Sequence, residues 1–136
     1  MLGSFLQPPG PERVLASLII DHVLLAMPPG KETEARAFFV GILGMVEEEK
    51  PTRLQSRGGC WFRRGSCKVH VGGDEDFQPQ RKAHPAFVVD EIDVLSDRLT
   101  QSGHDVVWDN AIPGSRRFFT ADPFGNRIEF LQNPID

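Results

Sequence analysis

The sequence lacks the features that mark several large classes of protein. Only two cysteines occur, Cys60 and Cys67, too few for a disulfide scaffold. No apolar stretch approaches the roughly 20 residues that span a bilayer, and no signal-peptide pattern is present. Lysine and arginine total 15 against 19 acidic residues, so there is no basic surplus to neutralise phosphates. These absences predict a cytoplasmic protein that neither crosses a membrane nor binds nucleic acid.

The composition suits one small globular domain. Hydrophobic residues make up 40% and charged residues 25% of the 136 residues. A chain of this length and composition can bury a hydrophobic core without disulfides or structural metal ions. Residues 1–16 contain Pro8, Pro9, Gly10 and Pro11 and predict a loosely attached, flexible tail. Residues 17–133 are predicted to form the domain.

One order of elements occurs twice in this domain, in modules at 17–72 and 83–131. The first has a strand at Ser17–Met27, a helix at Lys31–Leu43 with one apolar stripe, and three short strands (45–50, 59–64 and 66–72). The second has a strand at 83–89, a helix with Asp90 as N-cap, and three short strands (104–109, 116–121 and 126–131). The repetition predicts an α+β fold in which two βαβββ modules form a curved mixed sheet around a cup-shaped cavity.

Four polar residues occupy matching positions in the two modules. His22 and His84 lie on the first strands, 62 residues apart, and His70 and Glu129 lie on the last strands, 59 residues apart. Strand alternation turns His70, His84 and Glu129 away from the apolar faces of their strands, and internal symmetry extends this to His22. A single strand histidine is usually a structural group, but four such residues at duplicated positions favour a metal site. Imidazole and carboxylate ligands suit a divalent transition metal such as Zn, Ni, Mn, Fe or Co.

Further residues on the strands are candidates for substrate binding. Trp61, Arg63 and Arg116 are the preferred ones, because a guanidinium in the cup could hold an anionic substrate group. Alternation allows only some of the strand arginines, which also include Arg64 and Arg117, to point inward. The sequence contains no motif that identifies a catalytic nucleophile or base.

Three segments resemble the vicinal oxygen chelate superfamily, which includes glyoxalase I, the extradiol dioxygenases, the fosfomycin resistance thiol transferases and the bleomycin resistance proteins. They are Ile20-Asp21-His22-Val23, Leu43-Gly44-Met45 and the closing Asp122-Pro123-Phe124-Gly125-Asn126-Arg127-Ile128-Glu129. The resemblance covers residues 18–133 and implies that His22, His84 and Glu129 are metal ligands. Glyoxalase I has a glutamate on the fourth strand where this chain has His70. His70 is therefore implied to be either a fourth ligand or a group that hydrogen-bonds bound water or substrate.

The resemblance also implies a function. It is a metal-dependent small-molecule enzyme of the glyoxalase/dioxygenase type: a lyase or isomerase, a thiol transferase or a dioxygenase. The metal would chelate vicinal oxygens of the substrate and stabilise an oxyanionic intermediate. The alternative is a metal-free small-molecule binding protein, as in the bleomycin resistance branch. Relatives build their cups by pairing modules within or between chains, and small enzymes are commonly symmetric, so a homodimer is expected.

Overall fold

The computed structural model describes residues 15–132, which form two four-stranded mixed sheets and a few helices. The first half contains β1 (Val23–Met27), α1 (Glu32–Arg36) continued by a π-helical segment (Ala37–Ile42), β2 (Val46–Glu48), α2 (Thr52–Gln55), β3 (Cys60–Arg64) and β4 (Cys67–Gly73). The second half contains β5 (Ala86–Val88), α3 (Ile92–Gln101), β6 (Val107–Asp109), β7 (Arg116–Ala121) and β8 (Arg127–Gln132). The strand orders are β1-β4-β3-β2 and β5-β8-β7-β6. The predicted α+β fold of two βαβββ modules is confirmed.

The two sheets repeat the same pairing. In each sheet the first strand lies parallel to the last, with Leu24 opposite His70 and Ala86 opposite Glu129. The apolar neighbours of these polar residues are buried in the core, among them Val69 and Ile128. Side chains alternate along a strand, so His70 and Glu129 lie on the faces opposite the core. We call these the cup faces of the two sheets.

The core is built largely from phenylalanine. Phe38 and Phe39 on the helical segment are buried and meet edge to face, and Phe39 stacks on Phe62 of β3. Phe118 of β7 is buried in the second module. Ala35 is buried as well, so the apolar stripe predicted for the first helix is the face that it packs against its sheet. None of the helices in residues 15–132 is long and apolar enough to cross a membrane.

The first strand is shorter than its sequence predicts. β1 begins at Val23, and Leu18, Ile19 and Ile20 are 79–89% exposed rather than in a strand from Ser17. The parallel register explains the difference. Val23 lies opposite Val69, and β4 itself begins only at Cys67, so the residues before Asp21 have no strand of their own sheet to pair with. The predicted tail falls largely on residues 1–14, which lie outside the described residues.

The start of the second helix also differs from the prediction. Asp90 is not the N-cap; the cap position is Glu91, and no side chain of the cap bonds the helix. The free N–H of Ile92 donates instead to Gln132 Oε1 at 3.1 Å, which ties the helix start to the end of β8.

The closing turn joins the two modules through two buried polar side chains. Asp122 Oδ1 accepts hydrogen bonds from the N–H groups of Phe124 and Asn126, each at 2.9 Å. Asn126 Nδ2 donates to Asp122 Oδ2 and to the carbonyl of Ala26 in β1, both at 2.8 Å. Asn126 Oδ1 accepts from the N–H of Gln80 at 3.1 Å. The Asn126 side chain therefore connects the linker, the turn and the first module.

We expect Asn126→Ala to destabilise the domain by about 3 kcal/mol, because several buried polar groups lose their partners together. For a domain of this size that corresponds to a fall in Tm of roughly 10 °C. The measurement is thermal unfolding followed by circular dichroism, with the exposed Asn110→Ala as the matched control. An Asn126→Ala variant that melts with the parent would show that this residue does not hold the modules together.

Candidate functional site

The cup face of the first module carries three stacked rings. His70 on β4 lies between Trp61 and His22, with ring centroids 4.2 Å and 3.9 Å away and interplanar angles of 4° and 17°. Trp61 lies directly opposite His70 in the antiparallel β3–β4 pair, so the sheet register sets that contact. Burial, and after it the charge of the neighbouring His22, lower the pKa of His70. His70 is therefore neutral at physiological pH.

The stack forms the floor of an open groove of about 730 Å³. One wall comes from the end of β2 and the start of α2, at Glu48, Glu49, Lys50, Pro51 and Thr52. The short helix α2 is absent from the sequence-based prediction, because four residues cannot show helical periodicity. Its position is held by Gln55 Nε2, which donates to the carbonyl of Lys50 at 3.0 Å, and by Lys50 Nζ, which donates to the carbonyl of Gly58. A groove of this size suits a small molecule.

A carboxylate sets the orientation of His22. His22 Nδ1 lies 2.9 Å from Asp21 Oδ2, and that hydrogen bond, followed by the charge of Lys68, lowers the pKa of Asp21. Ionised Asp21 can only accept, so Nδ1 carries the proton and Nε2 has a free lone pair. A carboxylate behind a histidine is the usual way to orient a metal-ligating imidazole.

The parallel rings of His22 and His70 limit how this pair can bind an ion. The lone pair of an imidazole nitrogen lies in the plane of its ring, so a bound metal lies close to that plane. One ion cannot lie in two nearly parallel planes whose rings stack 3.9 Å apart. In this arrangement either His22 or His70 can ligate a given metal, but both cannot.

The second module carries the other polar pair on its cup face. His84 Nε2 lies 3.0 Å from Glu129 Oε1, and His84 Nδ1 lies 2.7 Å from the carbonyl oxygen of Lys82. A carbonyl can only accept, so Nδ1 carries a proton. In the neutral imidazole, Nε2 then presents a lone pair to a carboxylate oxygen that also presents lone pairs. The pair is complete only with a cation between the two atoms, either a proton or a metal ion.

A third side chain holds the other oxygen of Glu129. Arg117 Nη1 donates to Glu129 Oε2 at 3.3 Å, and its Nη2 donates to Asp109 Oδ2 at 3.0 Å. The Arg117 side chain is only 17% exposed, and its buried Nε has no hydrogen-bond partner. Arg117 therefore fixes the Glu129 carboxylate and leaves Oε1 facing His84.

The three predicted substrate-binding residues occupy different places. Trp61 lines the groove. Arg63 lies on the same face of β3 but pairs with Glu48 at 3.2 Å and is not among the residues that line the groove. Arg116 lies on the opposite face of its sheet, where it forms a bidentate pair with Asp93 of α3 at 2.7 Å and 3.0 Å.

Arg117, not Arg116, is the β7 arginine on the cup face, and the sequence contains the signal that separates them. Phe118 of β7 is a core residue, so Arg116 two positions earlier shares its face and Arg117 does not. Counting back from the 122–125 turn also pairs Phe119 with Glu129, which puts Arg117 on the side of Glu129.

The chain does not gather its four candidate ligands into one cluster. His22 and His70 form one pair and His84 and Glu129 form another, and within residues 15–132 no group of three His, Cys, Asp or Glu side chains could hold one ion. The outer strands of both sheets carry apolar side chains on the same cup faces. Four of them are 61–66% exposed, namely Leu24, Val46, Val88 and Val107. Each module thus presents one polar pair on a cup face that also carries exposed apolar side chains.

Comparison with known proteins identifies relatives over nearly the whole domain. A glyoxalase family protein from Bacillus anthracis is 47% identical, with a TM-score of 0.83 over 88% of this chain and 98% of that one. A mutant of the fosfomycin resistance protein FosX from Listeria monocytogenes, complexed with Mn(II) and 1S,2S-dihydroxypropylphosphonic acid, is 17% identical, with a TM-score of 0.71 over 89% and 95% of the chains. TnmS3, an antibiotic binding protein from Streptomyces, is 21% identical, with a TM-score of 0.64 over 86% and 99%. The two weaker likenesses show the fold alone.

No curated protein matches the sequence significantly. The family model described as Glyoxalase/Bleomycin resistance protein/Dioxygenase superfamily matches residues 19–130, a span that includes both polar pairs and all but the last two residues of the two sheets. The chain belongs to the glyoxalase/bleomycin resistance protein/dioxygenase superfamily.

Proposed function

We propose that the protein is a metal-dependent enzyme acting on a small molecule, and that its metal centre is completed by a second copy of the chain. His22 of one protomer and His84 with Glu129 of its partner would be the ligands. The observation that carries the proposal is the close approach of His84 Nε2 and Glu129 Oε1, 3.0 Å apart, which places two acceptors face to face when the imidazole is neutral. A nitrogen and an oxygen held in this way need a cation between them.

The donor set fits a divalent transition metal. Two ligands at right angles on bonds of about 2.1 Å stand roughly 3 Å apart, which is the separation of His84 Nε2 and Glu129 Oε1. In its neutral form each histidine, bonded through Nδ1 to an oxygen that only accepts, has its proton on Nδ1 and offers Nε2. The stacked rings of His22 and His70 cannot share an ion, and Asp21 orients His22, so we assign His22 as the ligand and His70 as its neighbour.

A homodimer accounts for the separation of the two polar pairs. Each pair lies on a cup face with exposed apolar side chains, and Leu18, Ile19 and Ile20 beside His22 are exposed as well. Apolar surface of this kind is covered in stable assemblies, and a two-fold axis would bring the first module of one copy against the second module of the other. Such a dimer would contain two equal sites.

The residues around the ligands have distinct tasks in this proposal. Asp21 fixes the ring of His22, and Arg117 keeps the Glu129 carboxylate turned towards His84. Trp61 and His70 form an aromatic floor on which a small substrate can lie. When bound, a divalent ion would act as a Lewis acid towards vicinal oxygens of the substrate and stabilise negative charge on them.

The test is metal analysis of protein purified without added metal. We expect a stoichiometric transition metal, or a rise in Tm when Mn²⁺, Ni²⁺, Zn²⁺ or Fe²⁺ is added, because an ion that binds only the folded state stabilises it by mass action. At a hundred times the dissociation constant the stabilisation is about 2.7 kcal/mol. Absence of metal together with no change in Tm would overturn the enzyme proposal.

A metal-free binding protein is the second candidate, and one observation favours it. Within the described residues of one chain no three ligands come together, and a proton alone can complete the His84–Glu129 pair. The groove over Trp61 would then simply enclose a ligand. The same metal analysis separates the two candidates.

A further inference from the structure

Arg127 is a basic side chain of the second module that the proposed function does not use. We propose that it binds an oxyanion group, a carboxylate or a phosphoryl group, on the molecule that occupies the cup. This inference rests on the proposed function for the rest of the substrate, the part that chelates the metal. Its own basis is the placement and the charge of Arg127.

Arg127 lies on the cup face, on the strand that carries Glu129. The two residues are two positions apart on β8, and Ile128 between them is in the core. The Arg127 guanidinium lies over the ring of Phe119 at 4.0 Å from its centre. The ring of His84 meets the edge of the same Phe119 at 5.4 Å. A single small molecule can therefore reach both Arg127 and the His84–Glu129 pair.

The two arginines of this face differ in how their charge is used. Arg117 donates to two carboxylates, those of Glu129 and Asp109. Between residues 15 and 132 no carboxylate lies within ion-pair distance of Arg127, and no side-chain hydrogen bond engages its guanidinium. The stacking on Phe119 fixes the plane of that guanidinium and leaves its N–H groups at the ring edge available. The Arg127 guanidinium is thus held in one orientation, with N–H groups available to donate to a ligand.

The balance of charge on the face also favours an anion. Asp109 and Glu129 are matched by Arg117 and Arg127, so the cluster is close to neutral without a metal. A divalent ion beside Glu129 would make it positive. A substrate with one oxyanion group beyond its chelating oxygens restores the balance and gives Arg127 a bidentate partner.

The first experiment compares two ligands that share one chelating head. Catechol and 3,4-dihydroxybenzoate both offer vicinal oxygens, and only the second has a carboxylate. In metal-loaded protein we expect Arg127→Gln to lower the affinity for 3,4-dihydroxybenzoate by about ten- to a hundredfold relative to the affinity for catechol, since a charge-assisted hydrogen bond is lost. The ratio of the two affinities is compared between variant and parent, so the different chelating strengths of the two ligands cancel. Arg127→Lys should keep part of the preference, and Arg36→Gln, on the helix at the far side of the first sheet, should keep all of it.

A second measurement tests Arg127 without any metal. Isotope-labelled, metal-free protein is titrated with inorganic phosphate at constant ionic strength and followed by NMR. We expect a saturable shift of the Arg127 and Phe119 signals that Arg127→Gln abolishes. If phosphate leaves these signals unchanged, or if the variant keeps the parent's ligand ratio, Arg127 is not an anion site. If phosphate binds at Arg127 but metal analysis finds no metal and added metal leaves Tm unchanged, the proposed function fails and the role of Arg127 stands.

Discussion

Replacing Glu129 with alanine is expected to lower metal affinity by at least about a hundredfold while the domain stays folded. The reason for the loss is that one of three proposed ligands disappears, and a metal held by few ligands depends strongly on each. His84→Ala should have an effect of the same size. His84 is partly exposed, so His84→Ala should lower the melting temperature of the metal-free protein by only a few degrees. Glu129 is buried against Arg117, so Glu129→Ala should lower it more, and circular dichroism checks that this variant is folded before the titration.

Calorimetric titration with one metal, Mn²⁺ or Zn²⁺, measures these affinities. Asp93→Asn is the matched control, because Asp93 lies on α3 and pairs with Arg116 on the opposite face of the sheet. Parent-like affinity in both Glu129→Ala and His84→Ala would mean that this pair is a structural ion pair. The enzyme proposal would then fail.

His70→Ala provides a graded comparison in the same titration. His70 lies between Trp61 and His22, and its loss leaves the His22 ring without its stacking partner. We expect a weakening of about 10–100-fold, the usual size for a group that supports a ligand without being one. A loss as large as that of Glu129→Ala would instead make His70 a ligand and require the ring stack to open.

The fold could be predicted from the sequence because its signals are local and repeated. The apolar stripe through Ala35, Phe38 and Phe39 is the face of the first helix that is buried. The alternation in β4 and β8 turns His70 and Glu129 away from the core, because a strand reverses its side chains at every residue. These features depend on residues close together in the sequence, so they can be predicted without the tertiary structure.

The start of β1 and the choice between neighbouring arginines were the weak points. Ile19 and Ile20 have the composition of a strand, yet a strand forms only where another strand is available to pair with it. Alternation alone does not choose between Arg116 and Arg117; the buried Phe118 supplies the parity of β7 and places Arg117 on the cup face. The first difference comes from an absent partner strand, and the second from alternation counted without a fixed core residue.

The arrangement of the ligands in space lies beyond local pattern altogether. Alternation assigns His70 and Glu129 to cup faces, and internal symmetry adds His22, but neither says whether the two cup faces of one chain meet. That depends on how the modules pack, which here involves α3 against the π-helical segment and the bond from Asn126 to the carbonyl of Ala26. The resulting separation of the two polar pairs is what points to a second copy of the chain.

The central claim, that each metal centre takes residues from two copies of the chain, is tested by mixing two defective variants. His22→Ala lacks the ligand of the first module, and Glu129→Ala lacks a ligand of the second. In a mixed dimer, one site combines both defects and the other combines the intact first module of one protomer with the intact second module of its partner. Light scattering of the parent at about twice 15.2 kDa is the necessary control for the dimer.

The measurement is the metal stoichiometry of each variant alone and of an equal mixture after exchange of subunits. We expect almost no tight binding in either variant alone and about one quarter of the parent's sites in the mixture, because random pairing makes half of the dimers mixed and one of their two sites intact. A mixture that binds no more metal than its components, with subunit exchange verified, would contradict a centre shared between two chains.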